Sequence, residues 1–247
     1  MTEKHSPQAP VTLIMGAGDA IGSAIARKFA HQGHIVCMAR RNGDKLSSLV
    51  NELQGQGLQA HAFSCDARKE EEVEALFAQI ESTYGKLEVV IFNIGANVPM
   101  SILDTSSRKF FKIWEMACFA GFLTGREAAR SMTQHGRGTI IFTGATASVK
   151  GSAGFAAFAS AKHGLRALAQ SMARELGPKN IHVAHVVIDA AVETEWIKAN
   201  VPNYDAIADK EGIVQPDDLA NNYLMLHQQP RNAWTFELDC RPWIEKW

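Results

Sequence analysis

The sequence lacks any marked excess of charge, since 25 lysines and arginines stand against 26 aspartates and glutamates over 247 residues. It has no basic block either, so nothing indicates nucleic acid as the main partner. No apolar run is long enough to span a bilayer, and residues 1–10 lack the apolar core of a signal peptide. We therefore expect a cytoplasmic protein without a membrane segment.

Cysteine is also scarce, and its spacing excludes the usual metal-binding patterns. The four cysteines lie far apart in the chain, at Cys37, Cys65, Cys118 and Cys240. Scattered thiols of this kind are typical of reduced, mostly buried cysteines in a cytosolic protein, so we predict no metal site. Internal repeats, low-complexity tracts and linkers are missing too. The length and this uniformity predict a single domain over residues 1–247.

The most informative stretch is a short apolar run that enters a glycine-rich turn. Val11–Met15 predicts a buried strand, and Ile21–His31 predicts an amphipathic helix. The turn residues considered for phosphate binding are Gly16, Gly18, Asp19, Ala20, Ile21 and Gly22. Glycine lets the backbone approach a pyrophosphate, and a helix N-terminus offers unpaired N–H groups. Glycines also serve plain tight turns, but the flanking strand and helix favour a nucleotide site.

The rest of the chain alternates between predicted strands and predicted helices. Further strands are predicted at residues 34–39, 59–64, 87–93, 139–143, 182–188 and 233–238, and the two longest helices at 106–135 and 154–176. This alternation is typical of an α/β protein with a parallel sheet covered by helices on both faces. We predict a doubly wound Rossmann fold in the strand order 3-2-1-4-5-6-7. Ligands of such sheets bind beyond the carboxyl ends of the strands.

Residues at these strand ends, taken together, resemble the classical short-chain dehydrogenase/reductase family over essentially the whole chain. The glycine turn is similar to the family's Thr-Gly-x-x-x-Gly-x-Gly, with Met15 for the threonine and Ala20 for the middle glycine. The other matching positions, in chain order, are Asp66 with Ala67, Asn93-Ile94-Gly95-Ala96, Lys162 and Thr194. The resemblance implies that Asp66 lies near an adenine ring and that Thr194 lies near a nicotinamide. It also implies a homodimer or homotetramer that pairs the two long helices.

The residues after the second strand bear on which nicotinamide cofactor is bound. A carboxylate there would bond the ribose hydroxyls of NAD, but position 39 is Ala39, and Arg40 and Arg41 follow. A guanidinium can pair with a 2′-phosphate through two parallel hydrogen bonds, so NADP(H) is favoured over NAD(H). Asp19 in the glycine turn counts against this choice. The alternative is that both arginines are solvated residues at a helix start.

The resemblance also locates the residues that move the proton in the family. The tyrosine four residues before Lys162 is replaced by Phe158, the serine by Ala145 and the asparagine by Cys118. A positioned acid–base group contributes about 10²–10⁴-fold in rate. The resemblance therefore implies a divergent member in which only Lys162 of the catalytic set remains.

Three other residues are candidates to replace the missing groups. Asp189 follows the sixth strand and can face the pocket and titrate, or it can cap the next turn. Thr146 can partly replace the serine, and Tyr204 belongs to a segment at about 190–214 that is expected to cover the substrate. The aromatic residues that can wall an apolar pocket, or belong to the core, are Trp114, Phe119, Phe122, Phe155 and Trp196.

Two functions remain open at this point. One is an oxidoreductase that acts on a carbonyl or alcohol of a small, partly apolar molecule through a non-classical proton route. The other is a pseudoenzyme that binds NADP(H) and acts as a sensor or an assembly partner. The family resemblance favours the first function, and the missing acid–base residues favour the second.

Overall fold

The computed structural model describes residues 9–18 and 20–246 and contains a parallel sheet of seven strands. The strands are β1 Val11–Met15, β2 Ile35–Arg40, β3 Ala60–Ser64, β4 Leu87–Phe92, β5 Gly138–Thr143, β6 Ile181–Ile188 and β7 Glu237–Cys240. Their order is β3-β2-β1-β4-β5-β6-β7, as predicted. The Rossmann fold is therefore confirmed.

Helices cover both faces of this sheet. They are α1 Ile21–His31, α2 Ser47–Gly55, α3 Glu70–Tyr84, α4 Ser107–Trp114, α5 Ala120–His135, α6 Ala156–Leu176, α7 Glu195–Asn200, α8 Tyr204–Ala208 and α9 Pro216–Gln228. One hydrophobic core lies under α1, α2 and α9, and a second lies under α3, α5 and α6. Because the central strands are buried on both sides, their sequences are nearly continuous apolar runs.

The glycine turn leaves β1 at the carboxyl edge of the sheet, between β2 and β4. The N–H groups of Gly16 and Ala17 both donate to Ala39 O, and the Asn93 N–H donates to Met15 O. These bonds connect the turn to the ends of the two neighbouring strands. The strand order changes direction between β1 and β4, and this change opens a crevice at the carboxyl edge. Sheets of α/β proteins bind their ligands in such crevices.

Two elements differ from the sequence-based expectation. The predicted helix 106–135 contains a π-helical turn at Glu115–Phe119, between α4 and α5. The last strand was predicted at 233–238, but β7 is Glu237–Cys240. The apolar residues that suggested an earlier start pack differently, since the Trp234 ring stacks on His182 with centroids 4.9 Å apart. Over the described residues, no helix has the length and apolar character to cross a membrane.

Candidate active site

A large cavity opens at the carboxyl edge of the sheet, with a volume of about 1050 Å³. Its walls come from the glycine turn, the ends of β4 and β5, the start of α6 and the segment after β6. A second cavity of about 470 Å³ adjoins it above β2 and shares the glycine turn and residues 93–95 as walls. The two cavities together form an elongated trough, which suits a ligand with two distinct ends.

Backbone geometry explains the glycines at positions 16 and 22 of the turn, and it leaves the backbone at Gly18 open to a ligand. A Cβ on Gly16 would lie 2.5 Å from the Ile94 side chain and 2.8 Å from Asn93 O, and one on Gly22 would lie 2.7 Å from the Ala17 Cα. A Cβ on Gly18 would meet no atom within 4 Å, so the backbone there faces open space that a phosphate can enter.

The start of α1 completes this phosphate cradle. Ala20 gives α1 no side-chain cap, and the Ser23 N–H donates to Gly18 O at 3.1 Å, so the N–H groups of Ile21 and Gly22 are the ones placed at the helix start to meet a ligand. Ile21 and Gly22 line the larger cavity beside Ala20. Asn93 closes the cradle from β4, since its Nδ2 donates to Gly16 O at 3.2 Å. Asp19, expected in this cradle, lies outside the described residues.

The smaller cavity is bordered by basic side chains. Arg40 and Arg41 line it as expected, and so do Lys45 and Arg68, which the sequence reasoning missed. Asp66 and the buried Ala67 form part of its floor. The Arg68 guanidinium donates to both Asp66 oxygens, at 2.9 and 2.6 Å, and this pairing holds the pKa of Asp66 below its usual range. An anionic group is therefore well placed between these side chains.

Lys162 lies on the floor of the larger cavity, where only 2% of its surface is exposed. Its Nζ donates to Thr143 O at 2.8 Å and to Ile94 O at 3.1 Å. Burial lowers the pKa of the amine to about 8. A protonated lysine has three N–H donors, so one donor remains for a ligand in the cavity.

Phe158, Ala145 and Cys118 are the residues that the resemblance implies at the positions of the family's tyrosine, serine and asparagine. Phe158 precedes Lys162 by one helical turn, and its ring centroid lies 5.9 Å from Nζ. Phe158 and Ala145 both line the cavity. Cys118 is buried in the π-helical turn, where burial raises the pKa of its thiol.

Thr146 and Asp189 form a hydrogen-bonded pair beside this floor. Thr146 lines the cavity, and its Oγ1 donates to Asp189 Oδ1 at 2.5 Å. Asp189 lies behind Thr146 and is not among the residues that line the cavity, so of its two alternatives the structure does not show the one in which it faces the pocket. Its other oxygen lies 4.0 Å from Arg241 Nη1, and its N–H donates to Cys240 O. Asp189 therefore reaches the cavity only through the threonine hydroxyl.

The segment after β6 forms the outer wall of the cavity. Val192 pairs with Val214 in an isolated bridge, and Thr194 caps α7 by accepting from the Ile197 N–H at 3.0 Å. Thr194 and the exposed Trp196 face the cavity. Tyr204 bonds the Glu193 side chain instead, and none of the chain's three tyrosines is among the described residues that line the cavity.

The aromatic residues expected around the pocket divide into two groups. Phe155 and Trp196 line the cavity, and so does Phe158, which was not among the aromatic residues expected there. Trp114 and Phe119 do not line it and instead stack along α4 and α5 with centroids 6.3 Å apart, followed by Phe122. The cavity wall is therefore largely apolar. Trp114, Phe119 and Phe122 pack against one another away from it, and Phe122 is exposed at the protein surface.

A buried histidine and a partly buried ion pair support the β5 loop from below. His185 is fully buried, and its Nδ1 donates to Glu237 Oε2 at 3.0 Å, while Arg166 donates to both Glu237 oxygens at 2.6 Å. Burial lowers the pKa of His185 to about 4, so the ring is neutral. A Cβ on Gly144 would lie 2.4 Å from His185 Nε2, which explains the glycine at the start of this loop.

Comparison with known proteins now identifies the family. The model of the short chain dehydrogenase family matches residues 10–205. The chain belongs to this family. Membership supports an oxidoreductase that binds a nicotinamide dinucleotide and acts on a small molecule.

Relatives of the chain agree with this membership. A short-chain dehydrogenase from Rhodopseudomonas palustris has a crystal structure with 51% identity and a TM-score of 0.83, covering 96% of this chain and 100% of its own. The 7alpha-hydroxysteroid dehydrogenase of Escherichia coli K12 is 31% identical over 229 residues, which is 90% of this chain and 88% of the relative. A structure of a 7alpha-hydroxysteroid dehydrogenase with NADH and 7-oxo glycochenodeoxycholic acid has 28% identity and a TM-score of 0.86, covering 95% of this chain and 93% of its own.

Proposed function

We propose that this protein is an NADP(H)-dependent oxidoreductase that interconverts a secondary alcohol and a ketone on a partly apolar small molecule. The observation that carries the proposal is the Thr146–Asp189 pair, which lies at the edge of a cavity that also contains Lys162. The 7alpha-hydroxysteroid dehydrogenases among the relatives act on a bulky, largely apolar molecule. The apolar wall of this cavity is consistent with a substrate of that general character, and the identity of the substrate stays open.

The cofactor is proposed to lie along the trough, with its pyrophosphate over residues 16–22. The adenine end fits the smaller cavity beside Asp66 and Ala67, and the other end fits the larger cavity between Lys162 and Thr194. Asn93 and Gly95 line both cavities, at the middle of the trough. In this arrangement, the remaining N–H of Lys162 donates to a ribose hydroxyl. The bound nicotinamide supplies the hydride acceptor or donor.

The preference for NADP(H) rests on side chains of this chain. Four basic residues border the smaller cavity, namely Arg40, Arg41, Lys45 and Arg68. Arg40 is the last residue of β2 and lines this cavity, and it is the proposed main partner of a 2′-phosphate. One relative carries NADH, so the family does not decide this preference.

The proton chemistry is proposed to bypass the family's tyrosine. We take Phe158, Ala145 and Cys118 as the residues at the positions of the tyrosine, serine and asparagine. The remaining route leads from a substrate hydroxyl to Thr146 Oγ1, with Asp189 taking the proton of the threonine in the same event. An ionised carboxylate at 2.5 Å is a suitable base for this transfer, because the proton moves along an existing hydrogen bond.

We further propose a single domain over residues 1–247, in which residues 190–214 cover the substrate. The protein is proposed to be cytoplasmic and to form a homodimer or homotetramer. The exposed apolar side chains Phe110, Phe111 and Phe122 on α4 and α5 support such an assembly, since large apolar patches on a protein surface commonly mark interfaces.

A panel of ketones and alcohols tests the proposal directly. The purified protein is incubated with NADPH and each ketone, or with NADP and each alcohol, and nicotinamide absorbance is followed. NADPH binding is measured in parallel by fluorescence titration. We expect binding and turnover of at least one apolar pair. Binding without any turnover supports the second function, a pseudoenzyme that acts as a sensor or an assembly partner, which Phe158 beside Lys162 favours.

A further inference from the structure

The Thr146–Asp189 hydrogen bond has a defined direction, which fixes what Thr146 offers to the cavity. An ionised carboxylate has no hydrogen to donate, so the threonine hydroxyl must be the donor in this 2.5 Å bond. The other Asp189 oxygen lies 4.0 Å from Arg241 Nη1. The only hydrogen of the Thr146 hydroxyl is therefore used in the bond to Asp189. The hydroxyl oxygen can offer the cavity only its lone pairs, as a hydrogen-bond acceptor.

Lys162 has one N–H left, which the proposed function assigns to a ribose hydroxyl of the bound cofactor, and the side chains next to Thr146 do not replace the missing donor. Ala145 and Ala147 flank it on the β5 loop, and Phe158 and Ile188 line the same part of the cavity. The polar side chains Asn97, Lys150 and Ser152 also line the cavity, but all three are exposed and lie at its open rim. The Thr143 hydroxyl is bonded to the buried Tyr223 hydroxyl at 2.7 Å.

We infer that this site binds the hydroxyl form of its substrate in preference to the ketone form, with the substrate hydroxyl donating to Thr146 Oγ1. The inference rests on the proposed function and adds which member of the alcohol–ketone pair the site binds more tightly. A ketone oxygen at the same place faces lone pairs and stays without a donor. An unsatisfied buried acceptor costs about 1–3 kcal/mol, which corresponds to about 10–100-fold in affinity.

The test compares the binding of a matched pair of probes, 1-tetralol and 1-tetralone, to the full-length protein. Dissociation constants are measured by ligand-observed NMR with NADPH for the alcohol and NADP for the ketone, because these combinations cannot react and the bound cofactor engages the remaining N–H of Lys162. We expect 1-tetralol to bind at least tenfold more tightly. This readout does not depend on activity.

Two variants test the direction of the hydrogen bond. In Asp189→Asn the amide can donate to Thr146 Oγ1, which frees the threonine hydrogen for a ketone, so the alcohol preference should disappear or reverse. Thr146→Ser keeps the hydroxyl and should keep the preference. Thermal melting checks that both variants fold.

The outcomes separate the inference from the proposed function. Equal binding of both probes to the unmodified protein overturns the inference, and so does an unchanged preference in Asp189→Asn, even if ketone turnover is observed. If neither probe binds with its nucleotide and no member of the alcohol and ketone panel reacts, the proposed function is wrong and the inference is lost with it.

Discussion

Lys162 Nζ lies 5.9 Å from the centre of the Phe158 ring, one helical turn away on α6. A hydroxyl added to that ring would enter the cavity beside a buried cation. We therefore predict that the double variant Phe158→Tyr with Ala145→Ser raises reductase activity on simple ketones by about 10²-fold or more. The lysine cation lowers the pKa of a neighbouring phenol, and the serine supplies a donor to the ketone oxygen.

The single variants provide the controls for this gain. Phe158→Tyr alone should gain less, because a proton donor without an oriented substrate lacks the reactive geometry. Steady-state rates with NADPH measure the effect. No gain in the double variant, with folding and NADPH binding intact, would mean that the cavity floor does not hold the ketone next to α6.

The basic border of the smaller cavity predicts a cofactor-specific effect of Arg40. Arg40→Ala should weaken NADPH binding by about 10–100-fold, because a charge-assisted hydrogen bond to phosphate contributes about 1.5–3 kcal/mol. NADH binding should change much less. Fluorescence titration measures both constants, and the exposed Arg231→Ala serves as a control for loss of one positive charge. Equal losses for NADPH and NADH would contradict the assignment.

Two glycines of the turn should respond in opposite ways to the same substitution. Gly22→Ala places a Cβ 2.7 Å from the Ala17 Cα, so it should lower the free energy of unfolding by about 1–3 kcal/mol. The methyl group of Gly18→Ala meets none of the described atoms within 4 Å, so this variant should fold normally, yet the methyl group should obstruct the phosphate and weaken NADPH binding. Urea unfolding and cofactor titration of both variants measure this. A stable Gly22→Ala protein, or unchanged NADPH affinity in Gly18→Ala, contradicts the geometry of the cradle.

Buried histidine predicts a loss of stability in mild acid. His34 bonds the Thr12 hydroxyl at 2.7 Å and packs against Phe29, and burial lowers its pKa from 6.5 to about 4. The unfolded chain therefore takes up a proton first, so the stability is fully present above pH 6.5 and falls as the pH drops toward 4. Between pH 7 and 4.5 this ring accounts for about 2–3 kcal/mol.

Urea unfolding at these two pH values measures that loss. The difference should shrink by about 2 kcal/mol in His34→Gln, because the amide does not titrate. The exposed His31→Gln is the matched control and should leave the difference unchanged. A pH difference that is the same in His34→Gln as in the unmodified protein contradicts the role given to the buried ring.

Sequence pattern predicted the fold because most of the strands are short, largely apolar and followed by a helix. The strand order and the placement of the glycine turn at the carboxyl edge were confirmed. The predicted start of the last strand was wrong. Trp234 does not belong to β7, and its apolar ring stacks on His182 instead. The π-helical turn around Cys118 has no signal in the hydrophobic pattern, since it inserts into an otherwise regular helix.

The candidate site was less accessible to sequence reasoning. Thr146 and Asp189 are 43 positions apart, and only the parallel pairing of β5 with β6 brings their loops together. Lys45 and Arg68 were missed because they reach the smaller cavity from a short 3-10 helix and from a turn, whose directions the sequence does not define. The residue types at the strand ends predicted where the site lies. The hydrogen-bond partners within the site could be identified only from the structure.

The most direct test of the central claim is the turnover of Asp189→Asn on whichever alcohol–ketone pair the panel identifies. The account predicts that the rate of alcohol oxidation falls by about 10²–10⁴-fold, with unchanged folding and NADPH affinity, because the amide cannot accept the proton of Thr146. Thr146→Val should lose a similar factor, and Thr146→Ser should retain most of the rate. Alcohol oxidation by Asp189→Asn at the rate of the unmodified protein would contradict the account.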